Sequence, residues 1–244
     1  MLFDVVIPLG SDDINKINKT VEYIKTNVIG FRNIYIISYD ISFNIDGCIT
    51  IDENIFDFKK DINNMTFTYN RNGWYLQQLI KFYACFYIKE ILDNYLIIDC
   101  DTFFFKETSF FDENDLPLYN YCEEYHISYF EHMSKLHPSL IRYNKNMSGI
   151  CHHMMFQKEI LTDLFKLVEE YHNNEKPFYK IFLEYVDTDI ISSASEYEIY
   201  FNYLCIYKQD KFKLRKLKNK NDCYSNYNSL NISDDDYISY HHWL

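Results

Sequence analysis

An α/β fold, with a mostly parallel sheet flanked by helices, is what this 244-residue chain predicts, built as one domain over residues 1–244. Three observations carry that expectation. Strand-like and helix-like segments alternate through the first hundred residues. The run at 95–98 lacks the alternation of a half-solvated strand, which suits a strand covered on both faces, and FDVVI at 3–7 also reads as a strand. Polar breaks follow the strands at Pro8 to Ser11, Ser38 to Asp40 and Asp99 to Asp101. Alternating strands and helices imply right-handed crossovers and a parallel sheet, and ligands of such sheets bind beyond the carboxyl ends of the strands. Three separate segments thus converge on one edge.

Each element follows in turn. FDVVI, residues 3–7, reads as the first strand, broken by Pro8-Leu9-Gly10. Ser11 can cap a helix whose apolar positions Ile14, Ile17, Val21, Ile24 and Val28 step by three and four. Ile34 to Ser38 supplies a second strand ending in Tyr39-Asp40, and Cys48 to Ile51 a short third. After Asn70-Arg71-Asn72-Gly73 comes WYLQQLIKFYACFYIKEIL, a helix with Tyr75, Leu79, Phe82 and Phe86 as its apolar stripe. Tyr95 to Ile98 is the next strand. Beyond 105 the pattern loosens: 118–122 and 150–156 are strand-like, Ile160, Leu164, Leu167, Val168 and Tyr171 mark an amphipathic helix stopped by Asn173 to Pro177, and shorter helices fit 178–186 and 196–207. KQDKFKLRKLKNK, 208–220, alternates as an edge strand guarded by lysines.

Bulk numbers narrow the function classes. Nearly half of the residues are apolar, with 24 Tyr and 20 Phe, so a sizeable core is affordable. A net charge of −12 repels a polyanion, so no nucleic-acid partner is expected. No leader is visible at MLFDVVIPLG, and no apolar run approaches the ~18 residues of a membrane span. The seven cysteines are dispersed, odd in number and never spaced CxxC, which points to a reduced, cytoplasmic setting.

The chemistry centres on LIIDCDTFFF, residues 96–105, where Asp99 and Asp101 flank Cys100 at the end of an apolar strand. Two like charges there need a cation, a shared proton or open water. Carboxylates at i and i+2 on a segment leaving a strand can turn toward one divalent ion. A dehalogenase-type phosphatase would instead use Asp99 as nucleophile, although Thr102 follows Asp101 without the usual small residue between. A non-catalytic sugar- or protein-binding module is the third possibility. Ser195 and Glu198 fit a capping box, which explains Glu198 and leaves Glu196 without a structural role.

The order of strand, acid-ended strand, lysine-bearing helix and apolar strand running into D-x-D resembles glycosyltransferases of the GT-A type. GWYLQQLIKFYACFYIKEILDNYLIIDCDTFFF further resembles a GT-A-like group with a W-x-x-Q-Q helix before D-x-D-T, and SGICHHMMF, SEYEIYFNY and the terminal YHHW extend that likeness. The resemblance implies a metal-dependent hexosyl- or N-acetylhexosaminyl-transferase moving a sugar from a nucleoside diphosphate, a UDP-sugar, to a hydroxyl-bearing glycan or protein. It implies a nucleotide-binding half over 1–105 and an acceptor-side half over 106–244. Mn2+ or Mg2+ would sit on Asp99 and Asp101, with His241 or His242 as a further ligand. The donor would meet Pro8, Leu9, Gly10 and Asp40 through its base, and Arg71, Gln78, Lys81 and Cys100 through its phosphates or sugar. Lys81 and Gln78 are equally readable as solvated helix residues. Asp101 would act with the metal in catalysis, and Glu196 would be the general base of an inverting reaction. His152-His153 would line the acceptor side or satisfy core polar groups.

Overall fold

The computed structural model describes residues 1–226 and 233–241. In chain order the elements of the first half are β1 (Phe3–Leu9), α1 (Ile17–Asn27), β2 (Val28–Ile29), β3 (Phe31–Ser38), β4 (Cys48–Asp52), α2 (Phe58–Asn63), α3 (Asn72–Tyr87) and β5 (Asn94–Ile98). The second half adds β6 (Thr102–Phe104), β7 (Thr108–Ser109), β8 (Leu118–Asn120), α4 (Ile127–Leu136), β9 (His153–Gln157), α5 (Lys158–Tyr171), α6 (Phe178–Glu184) and α7 (Glu196–Tyr207). It closes with β10 (Lys213–Arg215), β11 (Asn219–Cys223) and β12 (Tyr237–His241). The central sheet runs β4-β3-β1-β5-β9, with the first four strands parallel and β9 antiparallel to β5. The predicted class, a mixed α/β fold around a mostly parallel sheet, is the observed one.

Every residue of β1 is buried, as expected of a strand with neighbours on both sides; its one charged residue, Asp4, is buried because Arg32 pairs with it at 2.7 Å. Pro8 does not end that strand. It pairs with Ile37 of β3, and this is possible because the ladder to β5 stops at Val6↔Ile97, so no neighbour asks Pro8 for an N–H. The first helix also starts later than Ser11 suggests: a 3-10 turn over Ser11–Asp13 precedes it, and α1 begins at Ile17. The cause is Lys16, fully buried, whose ammonium reaches Asp13 at 2.8 Å and the Tyr240 carbonyl at 3.4 Å and so ties the turn to the far end of the chain. Val28, counted with the helix face, lies instead in β2. α3 ends at Tyr87 rather than running through KEIL, with Ile88 extended, and Phe86 at its end is 40% exposed beside Phe165.

The aromatic excess is spent on the core. Phe82 of α3 meets Phe156 of β9 and Phe178 of α6, Phe165 of α5 stacks on Phe178 at 4.3 Å, and Phe156 stacks on Tyr200 of α7 at 4.4 Å. Such ring pairs add roughly 0.5–1.5 kcal/mol each beyond their area. The basic stretch behaves as an edge: β10 lies beside β8, and Lys208, Lys213 and Lys216 pair with Asp163, Asp112 and Glu123. All seven cysteines are unbridged, and among the described residues no helix is long and apolar enough to cross a membrane.

A second, smaller sheet matters more for chemistry. β12 pairs antiparallel with β6 and parallel with β11, in the register Ser239↔Thr102. The segment after Ser239 therefore runs alongside the turn that precedes Thr102.

His132 of α4 is buried and neutral, with Nε2 at 2.9 Å from the Phe182 carbonyl, and burial pushes its pKa down to about 4. The unfolded chain takes up a proton near pH 6.5 that the folded chain refuses until about 4, so stability falls as pH drops through that window. We expect His132→Gln to lose on the order of 3 kcal/mol less than wild type in urea unfolding between pH 7 and pH 4; parallel curves for the two proteins would show that His132 does not carry the effect.

Candidate active site

The carboxyl ends of β1, β3 and β5 form one edge. There Leu9 stands opposite Ser38, Gly10 follows in open space, and Asp40 accepts the Ser42 N–H at 2.8 Å, a bond to Ser42 that holds its carboxyl below the usual range. Pro8, Leu9, Gly10 and Asp40 are thus together, at the edge where Asp99 to Asp101 leave β5. Because β9 is antiparallel, its beginning lies at this same edge: Ile98 pairs with His153, and the Asp99 N–H donates to the His152 carbonyl at 2.9 Å. His152 adopts φ +59°, a left-handed backbone uncommon outside glycine. The turn is closed by the Thr102 N–H on the Asp99 carbonyl, and Tyr240 N–H donates to the Asp101 carbonyl, each at 2.9 Å.

Both aspartates have partners. Asp99 Oδ1 accepts from Lys81 Nζ at 2.6 Å and from the Tyr197 hydroxyl at 2.9 Å, and Oδ2 lies 3.3 Å from His152 Nδ1. Asp101 Oδ2 lies 3.2 Å from His241 Nδ1. The two imidazoles are neighbours, with ring centroids 4.5 Å apart. Lys81 Nζ also meets Glu196 Oε1 at 2.6 Å and lies 4.4 Å over the Tyr197 ring. Gln78 Oε1 accepts the Glu196 N–H at 3.1 Å.

One ammonium serves two carboxylates, and the charges divide unequally. Burial pushes Asp99 up, but Lys81 and His152 outweigh it and hold its pKa well below the carboxylate range. Burial raises Glu196, and the neighbouring Asp99 charge adds to that rise against the pull of Lys81. Burial works against the Lys81 charge too, yet its two acids keep its pKa raised. His152 is likewise raised by Asp99 against burial. The site therefore holds Asp99 ionised and Lys81 protonated, and the environment shifts the pKa values of the two carboxyl groups in opposite directions.

Several expectations need revision on this geometry. Lys81 and Gln78 are buried rather than solvated, and Lys81 pairs with Asp99 and Glu196. Glu196, expected as an unencumbered general base, is buried and ion-paired. The Cys100 side chain turns away from the edge, toward the Asp13 carbonyl and Thr20, and burial raises its thiol pKa. Arg71, ten residues before Lys81 and about 15 Å from it in helical rise, lies over Trp74 and beside Ser192. His152 belongs to the acid cluster, whereas His153 is buried among Phe104, Phe110 and Tyr237. His241 is a site residue, and His242 lies outside the described residues.

Tyr197 and the Asp99–His152 contact were not legible: the first follows from helix phase at the start of α7, the second from a backbone angle. Of the capping box, Ser195 Oγ does accept the Glu198 N–H at 3.3 Å. The Glu198 carboxylate, however, goes to Ser148 Oγ at 2.5 Å and Asn202 Nδ2 at 2.8 Å, which fastens the segment leading to His152 onto α7.

The donor chemistry at the edge, two carboxylates and two imidazoles, suits a divalent cation such as Mn2+. The buried His152 Nε2 makes no hydrogen bond. Among the described residues, no three such side chains are close enough, as they stand, to hold one ion together. Asp101 and His241 are the best-placed pair.

No family model and no curated protein sequence matches the chain. Among solved structures it is similar to mouse xyloside xylosyltransferase 1 in its apo form, with 9% identity, 99% of this chain and 98% of that chain covered, and a TM-score of 0.53. The chain shares the fold of that enzyme.

Removing the shared ammonium isolates two buried acids, and loss of one member of such a cluster costs about 3–5 kcal/mol. We expect Lys81→Met to be destabilised by that order in chemical denaturation, and Lys81→Met combined with Glu196→Gln and Asp99→Asn to recover most of it. A triple variant as unstable as the single one would mean that the loss comes from packing rather than charge.

Proposed function

We propose that the protein is a glycosyltransferase that moves a sugar from a nucleoside diphosphate donor, a UDP-sugar, to a hydroxyl acceptor with the help of Mn2+ or Mg2+. The observation that carries this reading is the meeting, on one sheet edge of a glycosyltransferase fold, of the β1 and β3 ends with the Asp99–Asp101 turn and His241. Asp101 and His241 would hold the cation, with Asp99 beside them. When bound, that ion supplies Lewis-acid stabilisation of the charge on the departing diphosphate.

The chain's own residues set the stage for it. Lys81 neutralises Asp99 internally, so Asp99 holds its place without the ion. Both Asp99 oxygens are engaged, by Lys81, Tyr197 and His152, which disfavours the phosphatase alternative in which Asp99 attacks. Glu196 is held by Lys81 through its carboxylate and by Gln78 through its N–H, and burial raises its pKa, the direction that strengthens a carboxylate as a proton acceptor. The Leu9–Gly10 and Asp40 segments offer backbone and a carboxylate to a nucleoside. The neighbour's name speaks of xylosyl transfer to a xyloside, so the donor panel includes UDP-xylose beside UDP-glucose and UDP-N-acetylglucosamine.

The test is a thermal-shift screen of UDP and these UDP-sugars with and without manganese. A donor at ~100 times its dissociation constant should stabilise the fold by ~2.7 kcal/mol. Asp101→Ala should abolish the manganese-dependent part of the shift. No shift with any nucleotide, with or without manganese, would leave a non-catalytic binding module on the same scaffold as the better reading.

A further inference from the structure

No carboxylate among the described residues forms an ion pair with Arg71. Its guanidinium is half-buried and lies 4.6 Å over the Trp74 ring. Its side-chain hydrogen bond among the described residues is a long one, 3.5 Å from Nη2 to Ser192 Oγ, and its buried Nε makes none. Burial lowers its pKa, and the groups acting in its favour are the hydroxyl-bearing rings of Tyr75 and Tyr129 rather than a carboxylate. Arg32, by contrast, is paired with Asp4 at 2.7 Å. In a chain of net charge −12, a half-desolvated cation without an acid marks a place where an anion is accepted.

The place is connected to the acid cluster. Along one face of α3, Arg71 meets Ser192, Tyr75 meets Ser193 at 2.6 Å, Gln78 meets the Glu196 N–H, and Lys81 meets the Glu196 carboxylate. Ser128 Oγ donates to the Ser192 carbonyl at 2.8 Å, which joins the start of α4 to the same loop. From α4, Tyr129 lies beside Trp74 at 6.3 Å, His126 lies 4.9 Å from Tyr129, and the Glu196 charge reaches the Tyr129 hydroxyl. A shelf of rings thus leads from Arg71 toward Glu196.

We propose that Arg71, Trp74 and Tyr129 form the acceptor subsite and that the acceptor is an acidic oligosaccharide. Its carboxylate pairs with the Arg71 fork, which matches a carboxylate bidentately. The C–H face of a pyranose covers the exposed part of the Trp74 ring, which the buried Tyr129 backs, and the hydroxyl-bearing end extends toward the acid cluster, about 15 Å away in helical rise. The assignment rests on the glycosyltransferase reading above and deepens it by naming the acceptor class.

The test is calorimetric titration of the full chain with a tetrasaccharide of alternating glucuronate and N-acetylglucosamine, with its carboxyl-reduced counterpart, and with an acidic peptide of similar length. Wild type should bind the uronate at least about tenfold more tightly than the reduced sugar. Arg71→Gln should lose that preference while keeping the UDP and manganese thermal shift of wild type, which also reports that the variant is folded. Equal binding of the reduced sugar, an undiminished preference in Arg71→Gln, tighter binding of the peptide, or no saccharide binding at all would each overturn the proposal. Arg71-dependent uronate binding in a chain that gives no shift with any nucleotide would instead keep the Arg71 site and sink the transferase reading.

Discussion

The acid edge of this protein depends on one ammonium placed between two carboxylates. Lys81 lies at 2.6 Å from both Asp99 and Glu196, in surroundings where an unpaired charge of any of the three would cost several kcal/mol. That constraint fixes the phase of α3, because Lys81 must face β5. It fixes the start of α7, because Glu196 must face α3. It also fixes the turn after β5, because Asp99 can reach the ammonium only if the chain folds back at Thr102. Three elements far apart in sequence are located by one positive charge, and the helix face that carries it reads Gln78 and Tyr75 into the same segment of chain.

A second constraint comes from strand direction. If β9 ran parallel like its neighbours, its beginning would lie at the opposite end of the sheet and His152 could not approach Asp99. The antiparallel β12 does the same for His241 and Asp101. Each aspartate thus receives its imidazole from a strand that runs against the one carrying the acid. The segment before β9 is held hard: a Cβ on Gly149 would fall 2.5 Å from Phe201 Cβ and 2.6 Å from the Tyr197 carbonyl. Glycine is required there by close approach to α7, and the Ser148–Glu198 bond clamps the residue before it.

Much of this was written in the sequence. An apolar run without alternation marked β5, because a strand buried on both faces needs none, and the polar breaks after β1, β3 and β5 marked the edge where ligands of such sheets bind. The acid pair was visible for the same reason: charge at the end of a buried strand demands explanation. Other features were not legible. The burial of Lys81 depends on which face of α3 meets the sheet, and its partner Glu196 lies 115 residues away, a pairing that periodicity cannot supply. Pro8 misled because its missing N–H matters only where a neighbour needs it. Lys16 misled because a buried lysine near a helix start looks, in sequence, like any solvated one. The His152 contact required a left-handed backbone angle at a non-glycine residue, for which a sequence carries little signal.

The adjacent histidines at the mouth of β9 have one further consequence. Successive residues of a strand point to opposite sides, so a slip of one position in its pairing would normally exchange what each side receives. Here a slip in one direction would bring the His153 imidazole to Asp99, and a slip in the other would bring the Cys151 thiol. The clamp of Ser148 and Gly149 onto α7 stands directly before these residues and so fixes which side chain meets the acid.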